Sequence, residues 1–146
     1  FERAVSSYTG NLADIKKELA EGHFFRAYNY FYLLKFFGGV PVVTKVLDVT
    51  SPELYGKRNS RYEVVNLILS DLDEAIAGLP LEQNITSADK GKISKQAAQA
   101  FKARVLLYEA TWRKYNGTST DFEGSAGPAS DQVNAFWKNP FNYPKQ

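Results

Sequence analysis

Residues 19–44 read LAEGHFFRAYNYFYLLKFFGGVPVVT, and this stretch decides the fold of the chain. Apolar residues recur in it at steps of three and four, which is the period of an amphipathic helix. One apolar stripe consists of Phe24, Ala27, Phe31 and Leu34. An adjoining face consists of Phe25, Tyr28, Tyr32 and Phe36. We therefore expect this helix to be buried on more than one side, by the rest of the chain or by sequence outside it.

The ends of this first helix are marked by residues with known capping preferences. Asn11 and Asp14 are alternative caps for its start, and the helix is predicted to continue to Phe37. Gly38 and Gly39 supply the backbone freedom that closes a helix, and the VPVVT segment that follows is predicted to be extended, because it contains a proline.

A second helix is predicted after a loop over residues 48–59. Ser60 and Glu63 fit a capping box, in which Ser60 accepts a hydrogen bond from the Glu63 amide and the Glu63 side chain reaches back to Ser60. The apolar face that follows consists of Val65, Ile68, Leu72, Ala75, Ile76 and Leu79. The opposite, solvent-facing side carries Asp71, Asp73 and Glu74. Gly78 and Pro80 end the helix.

A third helix is predicted from about Ser94, after the turn-rich residues 81–92. Its apolar face consists of Ala97, Ala98, Phe101, Val105, Tyr108 and Trp112. A second side of small residues consists of Ala100, Ala103 and Ala110. Small residues let another helix approach closely, so this helix is expected to lie between two neighbours. Arg104 lies in the middle of it and is expected to be paired with a carboxylate or with helix-end carbonyls, since a buried unpaired charge is costly.

The C-terminal part of the chain is predicted to be mostly loop. Residues 117–130 are rich in glycine, serine and threonine and are expected to form a flexible loop. Residues 131–136 are a candidate start of a fourth helix, which the following Asn-Pro and Tyr-Pro pairs would interrupt. Residues 1–146 are taken as a single partial domain. Amphipathic helices joined by long loops, with little or no sheet, indicate an all-α fold of the kind found in tetratricopeptide-like helical hairpins.

Composition excludes several classes of protein. The chain has 18 basic and 16 acidic residues among 146, and the resulting charge of +2 is too small to indicate a nucleic-acid partner. It contains no cysteine, so thiolate metal sites and cysteine nucleophiles are excluded for these residues. No leader with a basic start and an apolar core is present, and no apolar run approaches the roughly 20 residues of a membrane span.

Catalytic and metal-binding patterns are also missing from the sequence. His23 is the only histidine, so neither a histidine-based triad nor a site with several histidine ligands can be built, and a position at a packing edge is the expected role of His23. The acidic residues 71, 73 and 74 lack calcium-loop spacing and are expected to form a solvated helix face. No phosphate-binding glycine loop occurs, and no pair of carboxylates is singled out for glycoside hydrolysis. We expect no catalytic residues, no metal and no cofactor.

Exposed aromatic side chains remain as candidates for ligand contact, because they can stack on sugar rings. Trp112, Tyr115 and Asn116, at the end of the third helix, are the candidate ligand-binding residues. The alternative is that Trp112 belongs to the core, as its spacing from Tyr108 suggests, and that Tyr115 covers the helix end.

Three blocks of the sequence resemble one known family. They are residues 20–43, with AEGHFFRAY, YF and FGGVPVV, residues 61–80, with RYEVV, DLDEA and LP, and residues 95–108, KQAAQAFKARVLLY. In this order and spacing they resemble the SusD/RagB family of surface nutrient-binding lipoproteins. Members are several times longer and start with a lipid-attached cysteine, so the resemblance implies that this chain is an inner part of their helical scaffold. The residues to which it gives packing and turn roles in that scaffold are Ala27, Gly38, Gly39, Pro41, Asp71 and Arg104.

The resemblance also implies a function. Family members capture glycans, or in some cases peptides, at the outer surface of the outer membrane, together with a TonB-dependent transporter of the SusC type, and they are not enzymes. The expected ligand is thus an oligosaccharide or polysaccharide, and the expected membrane association is through a lipid anchor absent from this chain. The alternative is a generic helical-repeat module that binds peptides or proteins. A hydrolase is a third hypothesis.

Overall fold

The structure is a computed structural model that describes residues 7–11 and 15–116. The described part contains three α-helices, α1 (Lys16–Phe37), α2 (Arg61–Gly78) and α3 (Lys95–Asn116). Short 3₁₀ turns at Pro52–Tyr55, Glu82–Asn84 and Ser87–Asp89 lie in the loops between them. Helix α2 packs against both α1 and α3, and no β-strand occurs among the described residues. The all-α prediction is confirmed.

Helix α1 begins later than the sequence suggested and ends where it predicted. The first helical residue is Lys16, and Ile15 precedes it without a side-chain cap, so the prediction that Asn11 caps the helix is wrong. The alternative cap, residue 14, lies outside the described part. At the other end Gly38 has a φ of 68°, and its amide donates a hydrogen bond to the Leu34 carbonyl at 3.0 Å. A positive φ is rarely adopted by other residues, which is why glycine closes this helix.

Gly39 serves a different purpose from Gly38, because it allows two backbone segments to approach each other. A Cβ added to Gly39 would lie 2.2 Å from the carbonyl oxygen of Asn59, just before α2. The Asn59 amide in turn donates to the Val40 carbonyl at 3.3 Å, and its side-chain oxygen accepts from the Val42 amide at 2.7 Å. The segment after α1 is thereby held against the start of α2.

The predicted apolar stripe of α1 forms the centre of the core. Its four members, Phe24, Ala27, Phe31 and Leu34, are all buried. The adjoining face behaves differently: Phe25, Tyr28, Tyr32 and Phe36 are exposed by 38–73%. The expected burial on more than one side is therefore not found among the described residues, because α2 and α3 pack on the stripe and α3 contacts the adjoining face only at its edge, where Phe101 meets Tyr28.

Helix α2 starts with the predicted capping box. The Glu63 amide donates to Ser60 Oγ at 3.2 Å, and the Ser60 amide donates to Glu63 Oε2 at 2.9 Å. The helix ends at Gly78, and the amide of Leu79 bonds to the Ala75 carbonyl at 2.9 Å. All members of the predicted apolar face are buried except the partly buried Ile76.

Helix α3 is rotated relative to the prediction. Ala98 and Val105 are buried and Phe101, Tyr108 and Trp112 are partly buried, as expected, whereas Ala97 is exposed. On the small-residue side Ala110 is buried, but Ala100 and Ala103 are exposed, so a second neighbour is not seen among the described residues. The prediction for Arg104 is wrong as to burial, since its side chain is exposed. The charged residues that α3 buries are Lys102, Glu109 and Arg113.

Residues 117–146 lie outside the described part. The flexible loop over 117–130, the fourth helix over 131–136 and the assignment of residues 1–146 to one partial domain stay predictions.

Candidate functional site

The three predicted ligand-contact residues lie together at the C-terminal end of α3. The indole ring of Trp112 is partly buried, with the Arg61 guanidinium carbon 3.7 Å from its ring centroid. The Asn116 amide donates to the Trp112 backbone carbonyl at 2.8 Å and so completes the helix end. Tyr115 is 77% exposed. Tyr115 has the more exposed of the two aromatic rings. Ligand contact by these three residues stays a prediction.

A buried charge cluster packs against Trp112 through the Arg61 guanidinium. Glu109 accepts hydrogen bonds from Arg61 Nη2 at 2.6 Å and from Arg113 Nε at 2.7 Å, and the side chains of all three are at most 2% exposed. The cluster joins the first turn of α2 to the last turns of α3. It was not predicted, although the spacing of Glu109 and Arg113 by four residues on one helix face is a signal for such a pair.

A second charge cluster joins α1 to α2 around Asp71. Its carboxylate accepts hydrogen bonds from Arg26 Nε and Nη2, both at 2.7 Å, and lies 2.8 Å from His23 Nδ1. The helical pattern predicts that Asp71 faces solvent, which is wrong, because its position on α2 turns toward α1 and basic side chains of α1 compensate its burial. The packing role that the family resemblance implies for Asp71 agrees with this burial. Asp73 and Glu74 are exposed as predicted.

These contacts also show the structural roles of His23 and of the acidic residues of α2. His23 lies partly buried at the contact of α1 with α2, which agrees with its expected packing role. Asp73 is paired with the buried Lys102 at 2.6 Å. Among the described residues no three His, Cys, Asp or Glu side chains are grouped closely enough to hold a metal ion.

An aromatic seam with a polar rim lies between α1 and α3. We call it the tyrosine seam, and it consists of Tyr28, Tyr32 and Lys35 from α1 with Phe101 and Arg104 from α3. The ring centroids of Tyr28 and Tyr32 are 4.9 Å apart, and Tyr28 lies 5.4 Å from Phe101. The Tyr28 hydroxyl donates to the Tyr32 hydroxyl at 3.3 Å, and this hydrogen bond is the main cause that raises the pKa of Tyr28.

A groove of about 560 Å³ lies on another side of α1, against residues 43–46. Its lining is mainly apolar and includes Phe25, Leu33, Val43 and Val46. The Tyr30 hydroxyl holds one wall in place by accepting a hydrogen bond from the Val43 amide at 2.7 Å.

Three polar side chains of this groove are already engaged within the protein. Arg26 binds Asp71, and Lys45 forms an ion pair with Glu53. The Asn29 amide donates to the Phe25 backbone carbonyl at 2.9 Å. The groove is therefore suited to apolar groups more than to hydroxyl-rich ligands.

Among the described residues, no helix combines the length and the apolar character that crossing a bilayer requires.

Comparison with known proteins identifies the family. A family model named SusD-like, described as starch-binding associating with outer membrane, matches residues 4–107. This chain belongs to that family, and the resemblance seen in its three sequence blocks is confirmed. A SusD-like protein, P38, of Formosa agariphila is 32% identical over 132 residues, which cover 86% of this chain and 25% of that protein. The chain thus spans about a quarter of this curated relative.

Solved structures agree with this assignment. A SusD-like carbohydrate binding protein from Bacteroides fragilis has a TM-score of 0.62 at 30% identity, covering 75% of this chain and 21% of the other. A laminarin binding SusD-like protein has a TM-score of 0.61 at 28% identity, covering 79% and 26%. A structure with xylogluco-oligosaccharide has a TM-score of 0.62 at 28% identity, covering 80% and 22%. The description of the family model and the names of these solved proteins refer to carbohydrate binding.

Proposed function

We propose that this chain is part of a cell-surface protein that binds a glycan and works with a TonB-dependent outer-membrane transporter of the SusC type. The main support for this proposal is the family match over residues 4–107. Further support comes from the similarity to a laminarin binding protein and to a structure with xylogluco-oligosaccharide. The aligned part covers 72–86% of this chain but only 18–26% of these relatives, which are therefore about three to four times as long, so the described helices supply only part of the complete binding protein.

The structure supports a scaffolding role for these helices. The Asp71 cluster ties α1 to α2, and the Glu109 cluster ties α2 to α3. Each cluster fixes the relative position of two helices by charged hydrogen bonds with defined geometry. A scaffold held in this way can present aromatic side chains at constant positions, which lowers the entropy lost when a ligand binds.

The proposed location is the outer membrane, at the cell surface. The family description includes association with the outer membrane. We propose that a lipid anchor outside this chain provides the attachment and that the transporter lies beside the protein. Cell fractionation and metabolic labelling with a fatty acid test this proposal, which predicts a lipidated protein in the outer-membrane fraction.

The function itself is tested with the complete protein that contains this chain. Isothermal titration calorimetry against laminarin, xyloglucan oligosaccharides and a panel of peptides should show binding of at least one glycan. The glycan should be recovered uncleaved, and the transporter should copurify with the protein from detergent-solubilised membranes. Binding of peptides alone would support the generic interaction module, and reproducible glycan cleavage would support the hydrolase reading.

Trp112, Tyr115 and Asn116 enter the proposal as one candidate contact group. Tyr115→Ala removes an exposed ring that contributes little to packing, so a loss of glycan affinity with unchanged stability would assign it to the ligand. Trp112→Ala cannot be read in the same way, because it also removes the contact with Arg61.

A further inference from the structure

We propose that the tyrosine seam is a carbohydrate subsite, in which Tyr28 and Tyr32 stack on pyranose rings and Arg104 and Lys35 donate hydrogen bonds to sugar hydroxyls. This inference rests on the proposed glycan-binding function and names residues for it that lie apart from the end of α3.

The two tyrosine rings are both accessible and held in place. Each is 38% exposed, so part of every ring lies in contact with protein and part faces solvent. Tyr28 is packed by Phe24 at 6.4 Å and by Phe101 at 5.4 Å, measured between ring centroids. Tyr32 is packed by Phe31 at 6.2 Å. Rings that are fixed before binding lose little conformational entropy when a ligand stacks on them.

The seam has the mixture of apolar and polar groups that a sugar requires. A pyranose presents C–H groups on its faces and hydroxyls around its edge, and tyrosine pairs an apolar ring with a polar tip. The Tyr28 and Tyr32 hydroxyls lie 3.3 Å apart, so they form one polar edge. Lys35 and Arg104 are exposed, and Lys35 Nζ lies 5.0 Å from the centre of the Tyr32 ring. Both cations carry only donors, which suits hydroxyl oxygens.

The position of Arg104 follows from the geometry of α3. It lies one helical turn after Phe101, whose ring contacts both Tyr28 and Phe31. Residues three apart share one side of a helix, so Arg104 belongs to the face that borders α1. In this position the exposed Arg104 side chain is available to a ligand at the seam.

Two other surfaces of the described part suit a glycan less well. The groove beside residues 43–46 is lined mainly by apolar side chains, and its Arg26, Asn29 and Lys45 are engaged within the protein. At the end of α3, Trp112 is partly buried against Arg61, so Tyr115 is the one open ring of that group. The seam, by contrast, combines two neighbouring exposed rings with two exposed cations.

The test uses the complete protein and measures binding of laminarin and xyloglucan oligosaccharides by calorimetry. The double variant Tyr28→Ala/Tyr32→Ala is expected to bind at least about tenfold more weakly, as for an aromatic hot spot. Tyr28→Phe/Tyr32→Phe keeps both rings and should therefore lose less glycan affinity than the double alanine variant. Tyr55→Ala is the matched control, because Tyr55 is 82% exposed and lies in the loop before α2.

The outcomes separate this inference from the proposed function. Unaltered affinity in the double alanine variant, with the parent protein still binding, overturns the subsite and leaves the function standing. Failure of the parent protein to bind either glycan counts against both. If the double alanine variant does not fold, Lys35→Gln/Arg104→Gln decides, since both side chains are exposed: a loss of about threefold or more supports the subsite, and none overturns it.

Discussion

The Asp71 carboxylate on α2 accepts two hydrogen bonds from the Arg26 guanidinium on α1, each at 2.7 Å, although its side chain is only 3% exposed. This bidentate pair, with His23 at 2.8 Å, forms the polar contact of the α1–α2 hairpin. A charge so deeply buried is tolerated only when it is paired, so the partners depend on each other.

We expect Asp71→Ala to lower the free energy of unfolding by about 3 kcal/mol, because it leaves the Arg26 guanidinium near a buried site without its carboxylate partner. Urea denaturation followed by circular dichroism measures the change. Glu74→Ala is the control, since Glu74 lies on the same helix but is exposed, and it should change stability by less than about 0.5 kcal/mol. Equal effects of the two substitutions would contradict the assigned role of Asp71.

The Glu109 cluster should be still more sensitive to the loss of one member. Glu109→Ala leaves two buried guanidinium groups against each other, and we expect a loss of about 3–5 kcal/mol. Replacing the whole cluster, as Arg61→Met/Glu109→Leu/Arg113→Met, should be less damaging than Glu109→Ala alone, because no uncompensated charge remains. Thermal denaturation of both variants tests this order, and the reverse order would show that the charges are not the main determinant.

The two faces of α1 should respond in opposite ways to truncation. Phe31 is 3% exposed and contacts the rings of Phe101 and Tyr108, so Phe31→Ala is expected to cost about 3–5 kcal/mol. Phe36 lies five residues later in the same helix and is 73% exposed, so Phe36→Ala should cost less than about 1 kcal/mol in this chain. A cost below about 1 kcal/mol for Phe31→Ala would mean that the buried face is misplaced.

Asp89 makes the stability of the chain depend on pH in the acid range. Its hydrogen bonds with Lys17 and then Lys92 lower its pKa from 3.8 to about 2. Because the folded-state pKa lies below the unfolded one, Asp89 contributes stability above about pH 4, and this contribution disappears as the pH falls toward about 2.

Asp89→Asn isolates this contribution. The variant should lose less stability than the parent chain between about pH 5 and about pH 2.5, since the remaining carboxylates titrate in both proteins. Unfolding free energies from urea denaturation at the two pH values provide the measurement. Identical losses in both proteins would show that the ion pairs of Lys17 and Lys92 with Asp89 do not form in solution.

Local features were predicted well from the sequence. The capping box of Ser60 and Glu63, the helix end at Gly38 and the apolar stripe around Phe31 each depend on residues within a few positions of each other. Capping and helical periodicity act over that distance, so the sequence carries their signal directly. The start of α1 was missed because Ile15 precedes the helix without a side-chain cap, and such a start leaves no pattern to read.

The candidate ligand surface was predicted less well. Sequence spacing pointed to Trp112, Tyr115 and Asn116, whereas the tyrosine seam needs Tyr28 and Phe101 to meet across two helices. The sequence does contain both tyrosines four residues apart, but their helical spacing predicts burial. Exposure depends on which side α2 and α3 occupy, and that is a property of the packed structure.

By itself, the sequence determined that this chain is helical, where its helices end and to which family it belongs. Those properties follow from periodicity, capping and ordered sequence blocks, all of which are local along the chain. Only the tertiary structure decided that Asp71 is buried while Arg104 is exposed, and that Tyr28 and Tyr32 face solvent. The physical reason is that the burial of a charge or a ring depends on the rotation of each helix against its neighbours, which is set by contacts between residues far apart in sequence.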